Sequence, residues 1–251
     1  PRNMNKPRTI IIDRINPVLE VIKASQKRIQ KLFVQQDTSN RRILDVVKYA
    51  RRQRIHVVFI PEAKLRAISA GNQGLAAAVS PKEFVPVDKM LEAGRPFLLL
   101  LDEVEDPQNL GAVIRTAEGA GVDGVIIPER RSAGLTSAVY SVSAGALEHL
   151  PVARVKNLAR TMDYLKKRGV WLIGAEEGRS EKWYQFDYTS PVGLVMGSEG
   201  KGLRRLVREK CDCLLSLPLS GQVSSLNVSA AAAVFLYEVV RQRNQKKHMQ
   251  D

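Results

Sequence analysis

Three stretches of the chain hold residues whose types and spacing suit ligand chemistry. Residues 106–117 (DPQNLGAVIRTA) set Asn109 six positions ahead of Arg115, in a helix that Pro107 opens. Residues 195–203 (VMGSEGKGL) place Glu199 among Gly197, Gly200 and Gly202, and residues 217–231 (LPLSGQVSSLNVSAA) load a strand-to-helix loop with Gly221, serines and Asn227. Each stretch follows an apolar run that reads as a strand, and ligands of open α/β sheets sit at such carboxyl ends. Glycines there allow the close backbone approach that reading the flat edge of an adenine requires.

Other chemistries fit less well. Residues 197–203 look like a phosphate-binding loop, but Leu203 stands where that loop needs Lys and Ser or Thr. The order G-x-G-x-x-G is absent too, and the segment comes late in its domain rather than after the first strand, against a dinucleotide fold. No G-x-S-x-G elbow occurs, which argues against a serine hydrolase. His56, His149 and His248 are far apart, and Cys211 and Cys213 form the one cysteine pair, so no metal site is expected. The two cysteines, one residue apart in an expected strand, should face opposite sides without a disulfide.

The elements that position these stretches form an α/β chain. Residues 97–101, 124–127, 170–174, 192–196 and 214–217 are apolar runs separated by helical stretches, the pattern of a mainly parallel sheet covered on both faces. A final helix is expected over residues 227–243, with a polar end fraying to residue 251. Ahead of these lies a smaller α/β domain: helices over 16–24, with Asn16 as cap and Pro17 first, and over 40–53, and strands over 29–34, 55–60 and 74–79. The expected division is a basic domain at 1–85, a linker at 86–96 marked by Pro86, Gly94 and Pro96, and a catalytic domain at 97–251.

Charge separates the two halves. Of a net charge of +13, residues 1–85 hold +11, from 17 Lys and Arg against 6 Asp and Glu. Phosphate neutralisation dominates nucleic-acid affinity, so the first domain is expected to bind RNA or DNA. With 44% hydrophobic residues the chain is neither disordered nor fibrous, and its longest apolar runs fall far short of a membrane span of about 20 residues. The polar opening over residues 1–9 lacks an apolar signal core, so a cytoplasmic, membrane-free protein is expected.

Taken together, the three stretches resemble the signature motifs of the SpoU/TrmH branch of the SPOUT RNA methyltransferases, in the Asn-to-Arg spacing, the GSEG core and the SLNVS run. The first domain, through NPVLEVIK and QGLAA, is more loosely similar to the ribosomal-protein-like substrate-binding domain of the RlmB-type subgroup, with Arg14 and Asn72 at points where glycine and histidine are common. The resemblance implies a C-terminal α/β-knot, a deep trefoil knot, and methyl transfer from S-adenosyl-L-methionine to a ribose 2′-hydroxyl of RNA, that of a guanosine of 23S ribosomal RNA. Transfer RNA, a resistance methylation of ribosomal RNA, and a non-catalytic RNA-binding protein stay open as alternatives.

The same resemblance assigns roles. The cofactor would lie against Gly197, Leu217 and Leu226, with Met196, Ser198, Gly200, Pro218 and Asn227 around it. Arg115 would act on the hydroxyl, positioned with Asn109, Glu199, Ser225 and Asn227. A guanidinium keeps its protons, so the expected role of Arg115 is to grip the adjoining phosphate and stabilise developing alkoxide charge. In-line placement and proton removal require no metal. A homodimer through the C-terminal domain, with the Ala-rich face of the last helix in contact, is also implied.

Overall fold

Two compact units emerge in the computed structural model, which describes residues 9–179, 181–222 and 225–248. Residues 1–8 of the polar opening, Val223 and Ser224 of the third stretch, and residues 249–251 lie outside the described residues. One unit is formed by the described part of Pro1–Glu83 with Gly134–His149, the other by Phe84–Ala133 with the described part of Leu150–Asp251.

The first unit begins with β1 (Ile10–Ile12), α1 (Ile15–Ser25), β2 (Ile29–Gln35), α2 (Arg41–Arg52), β3 (Val57–Ile60), α3 (Glu62–Ile68) and β4 (Leu75–Val79). Its sheet runs in the order β1-β4-β2-β3, with β2 and β3 parallel and the other pairs antiparallel. Helix α2 forms because Ile43, Val46, Val47 and Ala50 recur at helical spacing and are all buried, while cations take the other side. Asn40 caps it, its Oδ1 accepting from the Arg42 amide at 3.0 Å. Helix α1 departs from expectation. Arg14, not Asn16, holds the cap position and makes no side-chain cap bond. Gln73 Oε1 accepts from the Ile15 amide instead, at 3.1 Å, a partner too remote in sequence to be read locally.

In the second unit the chain continues through β5 (Phe97–Leu101), α4 (Pro107–Gly119) and β6 (Gly124–Pro128). It passes through α5 (Ser137–Val142), which belongs to the first unit, and then forms β7 (Val152–Val155), α6 (Leu158–Lys167), β8 (Trp171–Ala175), β9 (Val192–Met196), α7 (Arg205–Lys210), β10 (Cys213–Leu215) and α8 (Val228–His248). The sheet order is β10-β8-β9-β5-β6-β7, and every pairing is parallel. β5, β6 and β9 are buried at all five positions, which is why they read as unbroken apolar runs. The stretch expected as a linker folds into this unit: Val87–Leu91 is a short 3-10 turn and Met90 is in the core. Cys211 precedes β10 rather than lying in it, and both cysteines are free.

The last helix does not fray after Arg243 but runs to His248. Arg243 Nη2 donates to the Ser190 carbonyl at 2.9 Å and Gln242 Nε2 to the Phe186 carbonyl at 3.0 Å, so its polar end is docked. Among the described residues no helix is long and apolar enough to cross a membrane, and no group of three His, Cys, Asp or Glu gathers as metal ligands.

Gly134–His149, assigned by sequence to the C-terminal domain, seals a buried polar cluster in the first unit. Arg28 Nη1 donates to both Glu148 carboxylate oxygens, at 2.9 and 2.7 Å, and Nη2 donates to Tyr140 Oη at 2.7 Å. Lys82 Nζ reaches the Leu147 and Glu148 carbonyls. The Glu148 side chain is wholly buried. Burial lowers the Lys82 pKa to about 8 and raises that of Tyr140 to about 12.

Candidate active site

The carboxyl ends of β8, β9 and β10 surround a cavity of about 470 Å³. Leu215, Leu217, Leu219, Leu226 and Phe235 give it apolar walls, and Glu176, Arg179, Glu199, Arg208 and Ser225 give it polar ones. A mixed lining of this size suits a small organic ligand with a flat ring at one end and charges at the other. A second cavity, of about 280 Å³, opens between the end of β5 and the start of α4, lined by Glu103, Glu105, Asp106 and Asn109. Ser198, Glu199, Lys201 and Val228 line both, so the loop after β9 is their common wall.

That loop is closed by its own backbone. Ser198 and Gly202 exchange two hydrogen bonds, at 3.2 and 2.9 Å, and Gly200 and Gly202 hold positive φ of 76° and 65°. A Cβ at Gly197 would stand 2.2 Å from the Gly202 carbonyl carbon. The sequence reading had given this glycine to close ligand approach, but here its close neighbour is the returning loop. The far end is clamped by Arg204, whose amide donates to the buried Asp102 carboxylate at 2.9 Å and whose Nε donates to it at 2.7 Å. Gly197→Ala is therefore expected to displace residues 198–202 and weaken small-ligand binding at the larger cavity by at least about tenfold, because backbone cannot yield as a side chain would. Calorimetry with S-adenosylmethionine, the cofactor that the sequence resemblance implies, measures this, and unchanged affinity would refute it.

The three stretches meet at Asn227. Its Oδ1 accepts from the Ser229 amide at 2.9 Å, capping α8. Its Nδ2 donates to Asn109 Oδ1 at 2.9 Å and to Glu199 Oε1. One amide thus satisfies a helix end and ties the start of α4 to the loop after β9.

Of the residues expected from sequence, Met196, Gly197, Ser198, Glu199, Gly200, Leu217, Ser225 and Leu226 line the larger cavity, and Asn109, Ser198 and Glu199 the smaller. Asn227 joins them by hydrogen bonds. Pro218 is exposed and lines neither. Arg115 also lines neither; it is exposed on α4 and makes no hydrogen bond or ion pair to a described residue. Sequence reading missed residues 175–179, whose Glu176 pairs with Arg179 and, at 2.7 Å, with Arg208. It also missed Asp102 and Arg204. The signal was available for Glu176 and for Asp102, which directly follow strands β8 and β5, but not for Arg204, eight residues beyond β9.

Two family profiles match successive parts of the chain. The profile of the SpoU rRNA Methylase family matches residues 96–237, and that of RNA 2′-O ribose methyltransferase substrate binding matches residues 15–85. A TrmH family tRNA/rRNA methyltransferase of Bacillus subtilis, YacO, is 44% identical over 235 residues, covering 91% of this chain and 94% of that one. One of Staphylococcus haemolyticus is 41% identical over 242 residues, covering 94% and 97%. The SpoU methyltransferase AviRb of Streptomyces viridochromogenes, solved in complex with the cofactor AdoMet, superposes with a TM-score of 0.81 at 25% identity, covering 94% of this chain and 91% of that one.

Proposed function

Because the chain belongs to the SpoU rRNA methylase family of RNA methyltransferases, we propose that it methylates a ribose 2′-hydroxyl of RNA with S-adenosylmethionine as donor, the target being a guanosine of 23S ribosomal RNA. The observation that carries this reading is the Asn227 amide, which joins three stretches distant in sequence into one site between two cavities. The basic first unit supports a large folded RNA as substrate.

S-adenosylmethionine supplies a methyl group on a sulfonium, ready for direct transfer. The larger cavity fits it: Leu217, Leu226 and the Gly197 backbone would hold the adenosine end against apolar walls, near Met196, Ser198 and Gly200, with Pro218 beyond the rim. The smaller cavity would take the target ribose, and Asn109 and Glu199 on its wall would orient the hydroxyl in line. Ser225 and Asn227 would fix that wall. Arg115, exposed on α4, is free to grip the phosphate beside the ribose and stabilise charge developing on the hydroxyl oxygen.

The family's trefoil knot is part of this proposal; the passage of the chain from edge strand β10 to α8, which packs on α4 and central β9, supports it. So is a homodimer through the second unit. Ala232 is buried, but Ala230 is exposed on the same face as Val234 and Tyr237, four and seven positions further along α8, and these three would form the expected contact. Light scattering should give a mass near twice 27.9 kDa.

The deciding experiment incubates the protein with tritiated S-adenosylmethionine and total RNA, then maps 2′-O-methylation. New ribose methylation in 23S ribosomal RNA is expected. Label on transfer RNA alone would overturn the substrate, and label on a base would overturn the reaction.

A further inference from the structure

The cations of the first unit fall into two sets. Arg28 is paired with Glu148, Lys23 with Glu20 and Arg66 with Glu62. Arg41, Arg51, Arg52 and Arg54, in and just after α2, have no carboxylate within salt-bridge distance among the described residues, and all are exposed. The single acid of this segment, Asp45, stands 3.9 Å from Lys48. A merely solvated helix face intersperses both signs; this face leaves like charges uncompensated, which costs stability unless an anion arrives.

Beside it lies an aromatic that solvation does not explain. Phe59 is 38% exposed on β3, an edge strand, where an outward apolar ring is a liability. The Arg51 guanidinium sits 5.7 Å from its ring centroid. A cation-flanked ring beside a row of free arginines is what stacking a nucleobase between phosphate contacts requires.

We propose that the α2–β3 face of the first unit docks an unpaired stretch of the substrate RNA, with phosphates along Arg41, Arg51 and Arg52 and a base stacked on Phe59. The proposal rests on the RNA methyltransferase reading and adds the surface and the strand state it recognises. Unpaired RNA is specified because bases inside a duplex are not free to stack on a side chain. From Arg41 to Arg52 the helix advances about 16 Å, room for several phosphates.

The test is anisotropy over a salt series with the full chain, using an oligouridylate of about 20 nucleotides and the same strand annealed to its complement. Arg41→Gln/Arg51→Gln/Arg52→Gln should reduce the log-log salt slope for the single strand by about 2, at about 0.7 per phosphate contact. Phe59→Leu should weaken single-strand binding by roughly tenfold and leave duplex binding unchanged. Lys64→Gln, an exposed change on α3, should alter neither. If the triple variant melts early, Arg52→Gln alone decides, with an expected change of about 0.7. Wild-type slope and affinity in folded variants would overturn the proposal, as would equal loss of duplex binding in Phe59→Leu. Should the wild-type chain methylate no RNA, the enzymatic reading falls, while the slopes still decide the docking face.

Discussion

Arg115→Ala should lower methyl transfer by about 10²–10³-fold, equivalent to about 3–4 kcal/mol of transition-state stabilisation, while S-adenosylmethionine affinity stays within about twofold. The structure makes this result interpretable. Arg115 is exposed and has no described hydrogen-bond or ion-pair partner, so its truncation should change folding stability by less than about 0.5 kcal/mol. It lies outside the walls of both cavities, so cofactor affinity should not depend on it. A loss of rate would then belong to the chemical step. Arg115→Lys keeps the charge but loses the planar fork, and should recover only part of the rate. Single-turnover assays with tritiated donor, beside calorimetric titration, give both numbers. Turnover near wild type in Arg115→Ala would remove this residue from the mechanism.

Glu148→Gln should destabilise the first unit by about 3–5 kcal/mol, because it leaves the Arg28 charge buried without its counter-ion. The Arg28 side chain is only 18% exposed and Glu148 wholly buried, so solvent screens the pair weakly. Removing both charges, with Arg28→Met and Glu148→Leu, should restore most of the loss. The same cluster gives a pH signature. Lys82, with a pKa near 8 when folded, binds fewer protons there than in the unfolded chain, so the unit should gain stability as pH rises from about 8 toward 10. Tyr140, raised to about 12, keeps its proton when folded but loses it above about 10 when unfolded, so the unit should lose stability as pH climbs from about 10 to 12. Denaturant melts of wild type and Lys82→Met between pH 7 and about 10 isolate the lysine's part; a rise of equal size in both proteins would exclude it.

Much of the second unit was legible because its central strands are apolar throughout: FLLLL and VGLVM leave no other reading of comparable length. Strand β7, four residues with Arg154 exposed at the sheet edge, gave too short and too polar a signal. The supposed linker was misread for the opposite reason. Its prolines and glycine mark turns, but they do not tell whether the residues between them, such as Met90, are buried. At the site, the three stretches were legible as types at spacings. What joins them was not, because the hydrogen bond from Asn227 to Asn109 spans 118 positions and leaves no local trace. Spacing does show that Asn109 and Arg115 lie on different faces of α4, since six residues turn a helix by about 240°, but not that Arg115 stands outside the walls of both cavities.

Gly134–His149 belongs to a unit whose other described residues end at Glu83. During synthesis the N-terminal unit therefore cannot close its Arg28 cluster until His149 has left the ribosome, a wait on the order of 3–13 s after Glu83 at typical elongation rates. A fragment cut at residue 85 would lack Tyr140 and Glu148, and transplanting the first unit onto another protein would require carrying both of its separated pieces.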